Sequence, residues 1–325
     1  MPIKILSNSS VLPKRVVTNA DLEKIVETSD EWITKRTGIK QRHLLGEDEN
    51  YLDCALQVAT QAIEKANLTP QDIDLVILGT STPWQAVPST AGILQGLLGI
   101  KHCPAFDLQA ACSGFVYAFY IAWQIMQSDP GKRHALVMGC DALSKITNWE
   151  DRGTCVLLGD GFGAMVLAAT EQDSVSRIID CHIGSDGKGK QDLEVPWGIG
   201  QGYSHLERLG GGLAMNGREV YRNSIYYFVQ QIEQIVQKNN ISMEDIDWVV
   251  PHQANMRIIE AVAERMHIAR EKFVVTLDKH GNTSAASIPL AYDWMVEQGK
   301  IKPGHLVLLA GFGGGYTWGT ALFRV

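Results

Sequence analysis

One short pattern occurs twice in this chain, and it constrains the fold more than any single motif. Lys65-Ala-Asn-Leu-Thr-Pro-Gln-Asp-Ile-Asp74, with an apolar run over residues 75–78, returns as Lys238-Asn-Asn-Ile-Ser-Met-Glu-Asp-Ile-Asp247, followed by apolar residues 248–250. In each copy a helix-period segment precedes, a short turn intervenes and a buried-type strand follows. The offset is 173 residues (238 − 65), about half of the 325-residue chain. A weaker echo pairs Gly159-Asp-Gly-Phe-Gly163 with Gly311-Phe-Gly-Gly-Gly315, each leading into strand-like sequence. Two matches in the same order predict a duplicated α/β unit. The halves divide as 1–172 and 173–325, where Thr170-Glu-Gln-Asp-Ser174 breaks the apolar pattern.

Within each half, apolar strands alternate with helical segments. The predicted strands cover residues 75–78, 105–108, 135–138 and 165–168, then 248–250, 273–277 and 306–309. That alternation predicts parallel sheets covered by helices. Residues 184–212, rich in glycine and polar side chains, read as a long excursion over the surface that covers a site. With 29 basic against 36 acidic residues the net charge is −7, which argues against non-specific binding to nucleic acid or a membrane surface. The N-terminus lacks the apolar region of a signal peptide, and the longest apolar stretch, residues 115–126, is shorter than a membrane span. The six cysteines (54, 103, 112, 140, 155 and 181) are scattered, without metal-site spacing. They read as reduced thiols of a cytoplasmic protein, and no metal is expected.

Three strand-to-helix corners carry reactive residue types. Ala105-Phe-Asp-Leu108 runs into Gln109-Ala-Ala-Cys112-Ser-Gly-Phe115 and then an apolar helix. A thiol at a helix N-terminus sits at the positive end of the helix dipole, which favours the thiolate. Trp248-Val-Val250 runs into Pro251-His252-Gln-Ala-Asn255 before an amphipathic helix, and the predicted strand over 273–277 runs into Asp278-Lys-His-Gly-Asn282-Thr-Ser-Ala-Ala-Ser287. Alone, His252 reads as a hydrogen-bonded core histidine and Asn282 as a turn residue. Ligands of α/β sheets bind where such corners converge, at the carboxyl ends of strands. Cys112, His252 and Asn282 together form a set suited to acyl transfer. The glycine-rich segments precede strands, not helices, so they lack a helix-terminus phosphate site. Gly313 to Gly315 instead let the backbone approach a substrate and offer N–H groups to an oxyanion.

These residues resemble a known family. Gln109-Ala-Ala-Cys112-Ser-Gly-Phe, Val250-Pro-His252-Gln-Ala-Asn255, His280-Gly-Asn282-Thr-Ser-Ala-Ala-Ser and Phe312-Gly-Gly-Gly-Tyr-Thr-Trp-Gly319 closely resemble the β-ketoacyl-[acyl-carrier-protein] synthase III family, the initiating condensing enzymes of bacterial fatty-acid synthesis. Ser29-Asp-Glu-Trp32-Ile-Thr-Lys-Arg36-Thr-Gly-Ile39 and Asp151-Arg152-Gly-Thr154 fit the same family, and the similarity spans essentially the whole chain. The resemblance implies the thiolase-like α/β fold, two duplicated halves in five α-β-α-β-α layers, assembled as a homodimer. It implies a decarboxylative Claisen condensation of an acyl-CoA with malonyl-acyl carrier protein, without a cofactor beyond the CoA thioester substrate. Cys112 would carry the acyl group, the amides of Cys112 and Gly314 the oxyanion, and His252 and Asn282 the enolate of the malonyl thioester.

By the same resemblance, Trp32 and Arg152 sandwich the adenine of CoA, Arg36 meets phosphate, and Thr28 and Asn255 are polar contacts. Arg222 and Arg257 match basic positions that meet the carrier protein. Val87 takes a place often held by Phe, which the partner subunit contributes to the acyl pocket. The smaller side chain predicts acceptance of acetyl-CoA and leaves longer or branched starters open. A degradative thiolase carries a second cysteine in the C-terminal glycine-rich stretch, which has none here, and elongating synthases place a histidine where Asn282 stands. Plant-type polyketide synthases share Cys-His-Asn and stay open as a weaker alternative, as does a non-catalytic binder of CoA that has kept the fold.

Overall fold

The repeated pattern becomes a repeated sheet. The structure, a computed structural model, describes residues 1–170, 174–201 and 212–325. The first half contributes β1 (Ile3–Val11), β2 (Arg15–Thr18), α1 (Asn19–Leu22), α2 (Asp30–Thr37), β3 (Gln41–Leu44), α3 (Tyr51–Lys65), β4 (Leu75–Gly79), α4 (Thr90–Leu98), β5 (Ala105–Leu108), α5 (Gly114–Ser128), β6 (His134–Ala142) and β7 (Asp160–Ala169). The second contributes β8 (Arg177–Ser185), β9 (Leu193–Glu194), β10 (Ala214–Met215), α6 (Gly217–Lys238), β11 (Trp248–Pro251), α7 (Met256–Arg265), α8 (Leu277–His280), α9 (Ser287–Glu297), β12 (Leu306–Gly313) and β13 (Thr317–Arg324).

One sheet has the order β1-β7-β6-β4-β5 and the other β8-β13-β12-β11, so the second repeats the first without its outermost strand. The offset of 173 persists in the backbone. Asn67 (φ 55) and Asn240 (φ 51) both turn left-handed after α3 and α6, a conformation asparagine tolerates. Thr69 and Ser242 close matching capping boxes on Asp72 and Asp245. Ala111 (φ 47) and Ser284 (φ 52) open matching turns before α5 and α9. By that register, Ala285 stands where the other half has Cys112. The expected division between residues 172 and 173 lies outside the described residues, as do residues 202–211 of the expected surface excursion.

Two strand expectations are corrected. The sheets are mixed: β4 pairs parallel with β5 and β6, and β11 with β12, but β1, β7 and β6 run antiparallel, as do β12, β13 and β8. The chain reverses without an intervening α-helix at the glycine-rich segments, the first opening β7 and the second closing β12 and turning into β13. The predicted strand over 273–277 shrinks to a single bridge between Val249 and Phe273. Beyond it the Gln253 carboxamide replaces a strand partner, donating to Val274 O at 3.1 Å and accepting from Thr276 N at 2.9 Å.

Helices α5 and α9 lie between the two sheets, α3 and α4 cover one outer face, and α6 and α7 cover the other. A helix buried on both sides has to be apolar nearly all round. In α5, Phe115, Val116, Ala118, Phe119, Ala122, Trp123 and Met126 are all buried. Its approach to the sheets is close enough to require glycine. A methyl on Gly79 would fall 2.4 Å from the Gly114 carbonyl carbon, and one on Gly319 would fall 2.9 Å from Val116, on the opposite sheet. Among the described residues no helix is long and apolar enough to cross a membrane.

Candidate active site

The carboxyl ends of β5 and β11 and the loop after α8 converge on a cavity of about 1110 Å³, lined by Cys112, His252, Asn282 and Gly314 among others. Cys112 sits in the tight turn Ala111–Ser113 that leads into α5. Burial pushes its thiol up to about 11; the charge of Asp141 adds to this and a hydrogen bond with Ser284 works against it. Burial thus favours the thiol over the thiolate at Cys112. A methyl on Gly313 would come within 2.6 Å of the Cys112 nitrogen, and one on Gly314 within 2.8 Å of Leu193 O and 3.7 Å of Ala111 Cβ. Only glycine lets the β12–β13 turn lie this close to the cysteine.

His252 leaves the end of β11 with its N–H donating to Ala310 O at 2.8 Å, and is 3% exposed. Its Nδ1 lies 2.7 Å from Ser287 Oγ, which also accepts from the Gln253 N–H at 3.3 Å. The Ser287 hydroxyl keeps a second lone pair, and the neutral tautomer with its proton on Nε2 is the one in which Ser287 donates to Nδ1. Burial lowers the His252 pKa to about 3, so the imidazole is neutral at any physiological pH. Asn282 is clamped by its backbone, donating to Leu157 O at 2.8 Å and accepting from Gly159 N at 2.9 Å. Its Oδ1 accepts from Ser284 N at 2.9 Å, which leaves the amide's donor end for a ligand. Two neutral donors and a thiol thus share one cavity.

Trp32 and Arg36, one turn apart on α2, also line the cavity. Ser29 caps α2 by accepting from Trp32 N at 3.1 Å, and Gly38 (φ 82) ends it against Met256 at the start of α7. The Trp32 ring has Arg152 over it at 4.8 Å and Arg36 at 5.5 Å. A planar base therefore enters that stack only by parting Arg152 from the indole. Asn255 lines the cavity but is occupied, capping α7 through Arg257 N at 2.9 Å and donating to Arg36 O at 3.2 Å. Thr28 is not among the lining residues, and its hydroxyl is buried without a partner.

Of the two expected basic contacts, Arg257 lines the cavity, with its guanidinium over Tyr221 at 5.6 Å, whereas Arg222 lies outside it, paired with Glu219. Arg218 and Lys190 line the cavity and were missed. Arg218 was findable, since it lies one helical turn before Arg222. Val87 is 82% exposed and does not line the cavity of its own subunit. Ser287, Gln253 and Ser284 were also missed, because their roles depend on partners distant in sequence. No cluster of three metal-ligating side chains occurs among the described residues.

Residues 106–187 match the family model described as 3-oxoacyl-[acyl-carrier-protein (ACP)] synthase III, and residues 236–325 match the model of that protein's C-terminal part. The chain is 49% identical over 323 residues to the beta-ketoacyl-[acyl-carrier-protein] synthase III of Bradyrhizobium sp., covering 98% of each protein. It is 47% identical over 322 residues to the protein of that name from Alkalilimnicola ehrlichii, covering 99% of this chain and 98% of the relative. Among solved structures, 3-oxoacyl-[acyl-carrier-protein] synthase III from Aquifex aeolicus superposes with a TM-score of 0.92 at 42% identity, covering 99% of this chain and 100% of that one.

Proposed function

The chain belongs to the β-ketoacyl-[acyl-carrier-protein] synthase III family of acyltransferases, and on that premise we propose which residues carry the condensation. The reaction joins an acyl group from acyl-CoA to malonyl-acyl carrier protein with loss of CO₂, initiating fatty-acid synthesis. In the first half, Cys112 Sγ forms a bond to the acyl carbonyl and the CoA thiolate leaves, taking up the proton that the thiol gives. The N–H groups of Cys112 and Gly314 hold the oxyanion. In the second half, malonyl thioester loses CO₂ and the electron pair passes to its carbonyl oxygen as an enolate. His252 Nε2–H and Asn282 Nδ2–H donate to that oxygen. The carbanion then attacks the acyl thioester, and the Cys112 thiolate departs to be reprotonated.

One observation carries this reading: a thiol and two neutral hydrogen-bond donors line the same cavity. A protonated imidazole there would repel no anion but would lose its proton to the enolate, so the burial that keeps His252 neutral suits a donor. In the same reading Trp32, Arg36 and Arg152 receive the nucleotide of CoA, with Thr28 and Asn255 beside them, while Arg257 and Arg222 meet the carrier protein. CoA enters as a substrate and no resident cofactor takes part. A homodimer is supported by the edge of β5, which among the described residues pairs only with β4, and by exposed Trp84, Val87 and Leu97. Val87 would then enter the partner's acyl pocket. A cytoplasmic place of action accords with six unpaired cysteines.

The test is stepwise. Acetyl-CoA should leave an acetyl adduct on the Cys112 peptide, and added malonyl-acyl carrier protein should discharge it as acetoacetyl product. Absence of the adduct overturns the reading, and an adduct without product reduces the protein to a simple acyltransferase.

A further inference from the structure

Arg42, on β3, is the largest fully buried side chain of the molecule, with 0% exposure. Its guanidinium donates to Asn19 Oδ1 at 2.9 Å, Val17 O at 3.3 Å and Val156 O at 2.7 Å, and its Nε has no partner. Among the described residues no carboxylate pairs with it. An unpaired buried cation is costly, and an apolar side chain of similar volume fills such a place at less cost. The hydrogen bonds that Arg42 makes therefore need a use.

They join two parts of the site. On one side Asn19 passes the contact on, donating to Asp30 Oδ1 at 2.8 Å, and Asp30 is the first residue of α2, which bears Trp32 and Arg36. On the other side the Arg42 stem lies beneath the bridge that pairs Leu158 with Asn282. A methyl on Gly159 would meet Arg42 Cβ at 3.2 Å, and one on Gly281 would meet it at 3.0 Å. Gly281 holds φ +67 directly before Asn282, so the backbone there has no slack for rearrangement. The Val156 carbonyl that Arg42 grips is one residue before Leu157, whose carbonyl receives the Asn282 N–H.

We propose that Arg42 is a positioning residue for the decarboxylation step, holding Asn282 through residues 156–159 and tying it to the first turn of α2. This rests on the reading of Asn282 as an enolate donor. Because Arg42 touches neither Cys112 nor its oxyanion site, its grip on residues 156–159 bears on decarboxylation, while its link to α2 bears on acylation only through the KM for acetyl-CoA.

The two half-reactions are measurable apart: Cys112 acylation from acetyl-CoA by intact-protein mass, and CO₂ release from labelled malonyl-acyl carrier protein. In Arg42→Met, acylation at saturating acetyl-CoA should stay within about threefold of the parent while CO₂ release falls by about 30-fold or more, approaching Asn282→Ala. Arg42→Lys keeps charge and stem but cannot span Asn19 and Val156 together, and should lose about fivefold in CO₂ release alone. CO₂ release within about threefold of the parent in Arg42→Met overturns the proposal, as does a parallel fall of both half-reactions in Arg42→Lys. If Arg42→Met does not fold, the Arg42→Lys ratio of the two rates decides. If Asn282→Ala itself keeps decarboxylation, it is the reading of Asn282 that fails first.

Discussion

Ser287 Oγ stands 2.7 Å from His252 Nδ1 and accepts from the Gln253 N–H at 3.3 Å. When the Ser287 hydroxyl donates to Nδ1, the ring proton is on Nε2, the tautomer that the proposed enolate contact requires. Ser287→Ala removes that donor and leaves the Gln253 N–H without its acceptor. CO₂ release should fall about tenfold while Cys112 acylation stays within about twofold. An equal fall in both rates would assign Ser287 to packing alone.

Acid should destabilise the fold through two buried histidines. Burial holds His252 near 3 and His280 near 4, while an unfolded histidine titrates at about 6.5. Between those values the unfolded chain binds protons that the native chain refuses. Stability is thus complete above pH 6.5 and drains away as pH falls toward 4. Urea unfolding at pH 7 and pH 5 should show a loss that is smaller by about 2 kcal/mol in His280→Gln than in the parent. An identical loss in both would contradict the assignment.

Nucleotide recognition should depend on the Trp32 ring that Arg152 and Arg36 flank. Trp32→Ala should raise KM for acetyl-CoA about tenfold with kcat within about threefold. Acetyl-pantetheine, which has no adenine, should show no change. A matching rise with pantetheine would place Trp32 in packing instead.

Carrier recognition should divide the basic side chains by their present partners. Arg218→Glu and Arg257→Glu should each raise KM for malonyl-acyl carrier protein about tenfold at low salt, shrinking as salt is added. Arg222, already paired with Glu219 on the surface, should matter less. An effect of Arg222→Glu exceeding both would reverse that order.

Starter range should respond to a residue that lies outside its own subunit's cavity. Val87 is 82% exposed, so Val87→Phe changes nothing in a monomer. In a dimer that exchanges this loop, it should lower turnover of C4–C8 acyl-CoA relative to acetyl-CoA by about tenfold. Parent turnover that is equal or better with acetyl-CoA than with every C4–C8 starter would show that the wider pocket is not used.

The chemistry was legible because it sits at corners. Cys112 and His252 each follow a strand, whose end can be read from local sequence, whereas Asn282 follows the short helix α8 where a strand was expected. Trp32 and Arg152 needed the family resemblance. What escaped was whatever depends on a partner far along the chain. Gln253 dissolves a predicted strand by occupying the backbone of Val274 and Thr276, and no period in residues 273–277 reveals that. Ser287 opens α9, and nothing local to it shows that its hydroxyl lies 2.7 Å from an imidazole 35 residues earlier. The parallel-sheet expectation failed for a related reason: one glycine segment opens β7 and the other closes β12 and turns straight back into β13.

The glycines that face α5 leave it no clearance on either side. Gly79 and Gly139 press on it from one sheet and Gly311 and Gly319 from the other. The enzyme is therefore unequally open to mutation. Residues around the starter can be exchanged one at a time, because they border empty space. The seat of Cys112 can shift only if a helix and two sheets move at once, a change no single substitution supplies. Variation in such a molecule is channelled toward what it accepts, and the reaction it performs is held fixed.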